Sequence, residues 1–309
     1  MCFGGTIAQC SNFGKISSDD YKAGGICSQL SYGASIANSY NVSGIYGTTK
    51  TGGITNSINN STVTNCYFAD AYGTFVTNNI NITPKSPAYM KTEGFVCMLN
   101  GGQPYFTTDN DNINNGYPVL GSTSLTAFFY DVPGYEWFAD AVYELAADNI
   151  LQGREPNYFY PGDDITRAEF MTILAKVNGV NLSTYYGYEP FYDVNPSDWF
   201  YAAVTWAYEN GLAYGKGENN FDPNAKITRE EVSCFIMRYL RSYSTSPMPE
   251  GGTLTFTDSY LISDWAKADV AALASLGIIN GFPDNSFAPQ NSALRSQAAL
   301  MTYKMLSEL

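Results

Sequence analysis

The 309-residue sequence contains no histidine. That removes the commonest general base, the Ser-His-Asp and Cys-His arrangements, and most transition-metal sites. Positive charge is scarce too: sixteen Lys+Arg face twenty-nine Asp+Glu, a net of −13, with only 15% of residues charged. Such a chain lacks the basic footprint of a nucleic-acid binder. Its six cysteines, at 2, 10, 27, 66, 97 and 234, show no C-x-x-C spacing, so a thiolate metal site is not indicated. No run of about 18 apolar residues is present, so no membrane insertion is expected. Met1-Cys2-Phe3-Gly4-Gly5 lacks the basic start and apolar run of an export signal. It reads as the middle of a repeat, with a signal and further repeats expected upstream. These absences lead to the expectation of no catalytic residues, no metal, no cofactor and no enzyme.

What is present is aromatic and unevenly charged. Twenty-five Tyr and eighteen Phe are enough to fill a core. Residues 1–126 hold five Lys+Arg and six Asp+Glu and are dense in Gly, Ser, Thr and Asn, whereas residues 127–309 hold eleven and twenty-three. The seam falls at Gly121-Ser122-Thr123-Ser124. A domain is therefore expected over 1–120 and a linker over 121–127.

The first part repeats with the period of short strands. Gly5-Thr6-Ile7-Ala8-Gln9-Cys10 aligns with Ala34-Ser35-Ile36-Ala37-Asn38-Ser39 and with Ser61-Thr62-Val63-Thr64-Asn65-Cys66, at steps of 29 and 27 residues. Gly24-Gly25-Ile26 returns as Gly52-Gly53-Ile54. Alternating runs between Gly and Asn turns suit a solenoid whose inward Ile and Val stack from coil to coil. Cys10 and Cys66 share a position two coils apart, about 9–10 Å at the inter-strand spacing, beyond disulfide reach. Asp19-Asp20, the one acidic pair among the repeats, reads as a solvated turn. Phe95-Val96-Cys97-Met98-Leu99 suits a closing strand or a short helix. Residues 4–75 resemble the GLUG-type repeats of bacterial surface proteins, which implies a right-handed parallel β-helix with an unassigned glycan or protein ligand.

The second part repeats three times with a helical period. Phe129-Tyr130-Asp131-Val132, Phe191-Tyr192-Asp193-Val194 and Phe256-Thr257-Asp258-Ser259 open the units. Steps of 62 and 66 then relate Trp137, Trp199 and Trp265; Gly153, Gly215 and Gly281; and Arg167, Arg229 and Arg295. Each unit reads as helix, loop, helix, the first helix starting around the Trp and stopping at Asn149, Gly211 or Gly277. Units are expected over 128–180, 190–243 and 255–309, packed about a pseudo-threefold axis.

Thr166-Arg167-Ala168-Glu169 and Thr228-Arg229-Glu230-Glu231 open the second helices, and Leu294-Arg295-Ser296-Gln297 departs from them. With the Phe-x-Asp-Val opening, the Trp and the Gly-to-Phe-x-Pro loop, this resembles the S-layer homology domain in triplicate. The resemblance implies an all-α bundle with grooves that bind secondary cell-wall polysaccharide, often through a pyruvylated amino sugar. It makes Arg167, Arg229, Arg295, the three Trp, Thr166, Thr228, Glu169, Glu231 and the three Gly candidate polysaccharide contacts. Other readings stay open. Thr-x-x-Glu is also a capping box, and the Trp fit a core position with one exposed edge. Asp131, Asp193 and Asp258 fit a brace for the first helix, with calcium as an alternative. The Arg, opposed to the helix dipole, suits either a sugar carboxylate or an internal salt bridge. Because unit three lacks the Thr and the Glu, the groove using Arg295 is expected to be the defective one. The function expected is non-catalytic wall anchoring outside the cell with display of the solenoid for adhesion or structure. The alternative is a wall-attached glycan-cleaving enzyme.

Overall fold

The computed structural model describes residues 1–19, 22–47, 51–72, 81–124 and 127–309. Asp20, and with it the acidic pair, lies outside them. The strand-rich first part forms parallel sheets whose registers match the sequence repeats. In one sheet Ser35–Asn41 lies between Thr6–Ala8 and Thr62–Ala69, pairing Ile36 with Ile7 and with Val63. In another, Cys27–Ser31 lies between Cys2–Phe3 and Thr55–Asn59. Gly24 pairs with Gly52. Leu30, Ile36, Ile54, Val63 and Cys66 form the apolar interior. Gln9, Asn38 and Asn65 share one register and all adopt positive φ, which Asn tolerates. The Asn65 amide donates to Asn38 Oδ1 at 2.9 Å, tying one bend to the next. All six cysteines are free, and burial pushes the Cys66 thiol up to about 12.

Residues 93–100 are a helix, α1 (Glu93–Asn100), started by Thr92 accepting from Phe95 N and stopped by Gly101 in the left-handed conformation. It packs against α2 (Ala139–Ala147), the first helix of the helical part. The expected seam at 121–127 is therefore not where the compact unit ends. Residues Met1–Asp148 with Gly153–Phe159 form one unit, and Asn149–Gln152 with Tyr160–Leu309 form the other. The physical reason is the apolar α1, which α2 helps to cover. Lys85, itself buried, also donates to Asp140 and to Gly134 O.

Glu144 on α2 is partly enclosed in this packing, and its Oε1 has no hydrogen-bond partner among the described residues. Burial pushes its carboxyl up to about 7, opposed by a hydrogen bond with Thr92 and reinforced by Asp148, Asp140 and Glu93. The folded form holds a proton that the unfolded chain releases near the ordinary glutamate value. Stability is thus fully present below about pH 4.5 and falls as pH rises through 7. At 1.4 kcal/mol per pH unit, discounted for partial solvent screening, the ionised form costs about 1–2 kcal/mol. Glu144→Gln should abolish this slope, making the variant the more stable protein at pH 8. Urea titrations at pH 5 and pH 8 check it.

The helical part continues with α3 (Arg167–Asn178), α4 (Tyr201–Glu209), α5 (Arg229–Tyr243), α6 (Lys267–Ser275) and α7 (Arg295–Leu306). The first helices end where expected, with Asn149, Gly211 and Gly277 at positive φ. They begin two residues after the Trp, so each Trp stands outside its helix. In the second compact unit, the segments before α3, α5 and α7 close a ring. Ile165 N donates to Ala293 O at 3.0 Å, Ala293 N to Ile227 O at 2.8 Å, and Ile227 N to Ile165 O at 3.1 Å. All three residues are buried. In this three-way closure each segment's backbone groups find their partners in the other two.

Candidate polysaccharide groove

Each second helix starts by borrowing carbonyls from a neighbouring unit. Arg167 N donates to Ala225 O, Arg229 N to Asn291 O and Arg295 N to Asp163 O, at 2.8–3.0 Å. The next N–H groups, of Ala168, Glu230 and Ser296, reach Pro223, Pro289 and Pro161 O. The third donors, Glu169 N and Glu231 N, go to Thr166 and Thr228 Oγ1 at 3.2 and 3.3 Å. Helix-terminal N–H groups that would otherwise be orphaned are satisfied in this way. Thr166 and Thr228 are therefore used in capping boxes, whose return bonds run from Thr166 N to Glu169 Oε2 and from Thr228 N to Glu231 Oε2. In unit three Leu294 has no side-chain acceptor, and only the return bond to Gln297 Oε1 at 3.2 Å remains.

The arginines follow the same cyclic rule. Arg167, Arg229 and Arg295 are 3%, 6% and 7% exposed. Arg167 Nε donates to Phe221 O at 2.9 Å and Arg229 Nε to Phe287 O at 2.7 Å. The Arg167 guanidinium also lies 4.7 Å from the Phe221 ring centre and 5.3 Å from that of Phe235. Its Nη2 donates to Tyr214 O at 3.3 Å, as Arg295 Nη2 does to Gln152 O at 2.9 Å. Glu231 Oε1, the oxygen its cap leaves over, sits 3.3 Å from Arg167 Nη1 and 2.9 Å from Lys216 Nζ. Burial works against the Glu231 carboxylate. Lys216, the Thr228 N–H and Arg167 nonetheless hold it below the ordinary range. Glu169 Oε1 likewise stands 3.5 Å from Arg295 Nη1. The acid facing an arginine thus comes from the neighbouring unit, so the third unit's Gln297 falls at the register that faces Arg229, and Arg295 keeps its acid. The loss of Glu in unit three therefore bears on the surroundings of Arg229, while the loss of Thr bears on the cap of the helix that carries Arg295. Burial lowers Arg229 to about 10, with Asp258 opposing.

The remaining expected residues divide between framework and surface. Gly153, Gly215 and Gly281 are packing positions: a Cβ would come within 2.5–2.8 Å of the carbonyls of Tyr158, Asn220 and Ser286. Asp131, Asp193 and Asp258 brace the Phe-x-Pro loop rather than the first helix, accepting from Phe159, Phe221 and Phe287 N at 2.7–2.8 Å. Among the described residues no cluster of acids, cysteines or histidines fit to hold a metal is found. Trp137, Trp199 and Trp265 are 57%, 67% and 57% exposed, so they are surface rings, not core. Glu230, which stands where the other units have Ala168 and Ser296, is buried and accepts from Ser263 N, Ser263 Oγ and Gln290 Nε2 at 2.8–3.0 Å.

A solvent-open groove of about 140 Å³ lies beside Arg167, lined by Tyr214, Gly215, Lys216, Glu231, Arg238 and Trp265 among others. Tyr214, Lys216 and Arg238 were not singled out from the sequence. The available signal was the register: Arg238 stands where the other units have Lys176 and Lys304, and Lys216 where they have Arg154 and Phe282.

The family model described as the S-layer homology domain matches residues 128–171, 190–233 and 255–299. An exoglucanase of Acetivibrio thermocellus is 33% identical over 225 residues, covering 73% of this chain and 19% of that protein. An amylopullulanase of Thermoanaerobacterium thermosulfurigenes is 37% identical over 172 residues, 56% of this chain and 9% of that protein. An S-layer protein of Bacillus thuringiensis subsp. finitimus is 26% identical over 171 residues, 55% of this chain and 20% of that protein. The chain spans a fifth or less of each. The expectation that it is no enzyme is corrected by these relatives, two of which are named as enzymes. The lack of histidine was a poor ground for it, because glycoside hydrolysis runs on paired carboxylates. No helix among the described residues is long and apolar enough to cross a membrane. Residues 128–299 are therefore three tandem S-layer homology domains, and the chain belongs with the cell-surface, wall-attached proteins that carry them.

Proposed function

We propose that these domains hold the protein non-covalently to a bacterial cell wall by binding an acidic secondary cell-wall polysaccharide, with a pyruvylated amino sugar as the recognised unit. The observation that supports it is the open groove beside Arg167, where cationic side chains and the exposed indole of Trp265 converge in an otherwise acidic protein. An indole face covers a sugar ring while cations meet its carboxylate. On this reading the buried Arg167, Arg229 and Arg295, with Thr166, Thr228, Glu169, Glu231 and the three glycines, shape the grooves, and the three Trp face the polymer. The part before residue 121 is proposed to be a right-handed, GLUG-type β-solenoid displayed at the envelope for a glycan or protein ligand. Its parallel registers at the repeat spacing support this.

The test uses the whole chain, since α2 packs on α1. Purified sacculi that keep their polysaccharide are expected to retain the protein, and stripped sacculi to release it. Equal retention on both would end the anchoring reading.

A further inference from the structure

The groove beside Arg167 holds more positive charge than its internal pairing uses. Arg167 is committed to Phe221 O, Tyr214 O and Glu231. Lys216 reaches the same Glu231 oxygen from the exposed side. Arg238 is the third cation on this wall. Its Nη1 donates to Leu212 O at 3.3 Å, and its guanidinium lies 4.9 Å from the centre of the Tyr214 ring. It is half-buried and pairs with no carboxylate among the described residues. Glu231 is the acid that lines this groove and pairs with two of its cations, Asp222 and Asp193 act on Arg167 from farther off, and Arg167 and Arg238 repel each other. An anion between the walls would relieve that repulsion.

The other registers repeat this arrangement only in part: unit one has Arg154 at the Lys216 position, but neither has an arginine at the position of Arg238. Lys176 and Lys304 occupy the Arg238 position, and burial lowers the pKa of both. Lys304 Nζ is turned to Gly277 O at 2.9 Å. At the Lys216 position unit three has Phe282, whose ring centre lies 4.6 Å from the Arg229 guanidinium and covers it. A lysine is a point charge, whereas a guanidinium offers a planar fork that grips a carboxylate through two parallel bonds. Position 238 alone of the three supplies that fork.

We propose that Arg238, assisted by Lys216, binds the carboxylate of the wall polymer's acidic sugar. Its groove, formed by Arg167, Tyr214 and Trp265, is the high-affinity one of the three. Arg167 is its structural floor, not the group that meets the ligand. The inference rests on the wall-anchoring reading and adds which side chain and which groove carry it.

The probe is polysaccharide fragments released from sacculi, with pyruvate ketals intact or removed by mild acid, titrated calorimetrically into the whole chain. Wild type should bind only the ketal-bearing fragments. Arg238→Lys, which keeps the charge and loses the fork, should weaken binding by roughly 10-fold, and Arg238→Ala by more. Lys304→Ala should change it by less than about twofold, and all three variants should melt within about 2 °C of wild type. Failure of wild type to bind either fragment overturns the anchoring reading. Wild-type binding that Arg238→Lys and Arg238→Ala leave intact, or that Lys304→Ala weakens as much, overturns this inference alone.

Discussion

Arg167→Ala is expected to lower the melting temperature of the protein by roughly 6–12 °C, an effect on folding before any on binding. The side chain is 3% exposed and spans two units, donating to Phe221 O and Tyr214 O and meeting Glu231. Truncation leaves two carbonyls short of a donor, empties the space between the Phe221 and Phe235 rings, and removes one counter-charge of a partly buried carboxylate. Breaking a buried pair by deleting one partner costs about 3 kcal/mol or more. In a protein of this size each kcal/mol moves the transition by about 2–4 °C. Lys216 and the cap still hold Glu231, so the lower end of that cost is the better guide. Scanning calorimetry of the whole chain decides it. An unshifted transition with lost wall retention would make Arg167 a ligand contact instead of a clamp.

Gly94→Ala is expected to destabilise the first compact unit by forcing α2 away from α1. A Cβ at 94 would lie 2.5 Å from Glu144 Oε1 and 2.7 Å from Glu144 N. The carboxylate is able to swing aside, but the backbone nitrogen moves only if α2 moves. Overpacking of this kind costs about 2–3 kcal/mol. Because α2 belongs to the first S-layer homology domain while α1 follows the parallel strands, the same methyl disturbs both. A urea midpoint within error of wild type would show that α1 and α2 do not approach this closely in solution.

Much of this architecture is legible in the sequence because its partners share a register. Parallel stacking pairs equivalent positions, so aligning Ile7, Ile36 and Val63 by type also named strand partners. The capping boxes are legible for the same reason: their donors and acceptors lie three residues apart. What was not legible runs between units. Glu231 gives one oxygen to its own cap and the other to Arg167, 64 residues away, so a substitution in unit three takes effect at an arginine of unit two. Arg238 carries no pattern signal of its own, since Val232, Phe235, Ile236, Tyr239 and Leu240 form the apolar stripe of α5 and 238 falls outside it. The pattern leaves the Trp open between a core position with one exposed edge and a sugar-facing ring, because the exact start of each helix is not written in it. Starting two residues after the Trp leaves the rings outside. The rise in charge density after 121–124 is real, but composition does not record that α1 offers α2 an apolar face.

The central claim is that the buried arginines clamp the ring while Arg238 and Lys216 face the polymer. It is tested most directly by a crystal structure of the whole chain with a ketal-bearing polysaccharide fragment. The account predicts the sugar carboxylate in the fork of Arg238, with Lys216 beside it, the ring against Trp265, and Arg167 still bonded to Phe221 O. A carboxylate on Arg167 with that carbonyl bond broken, or a fragment seated away from this groove, would contradict it.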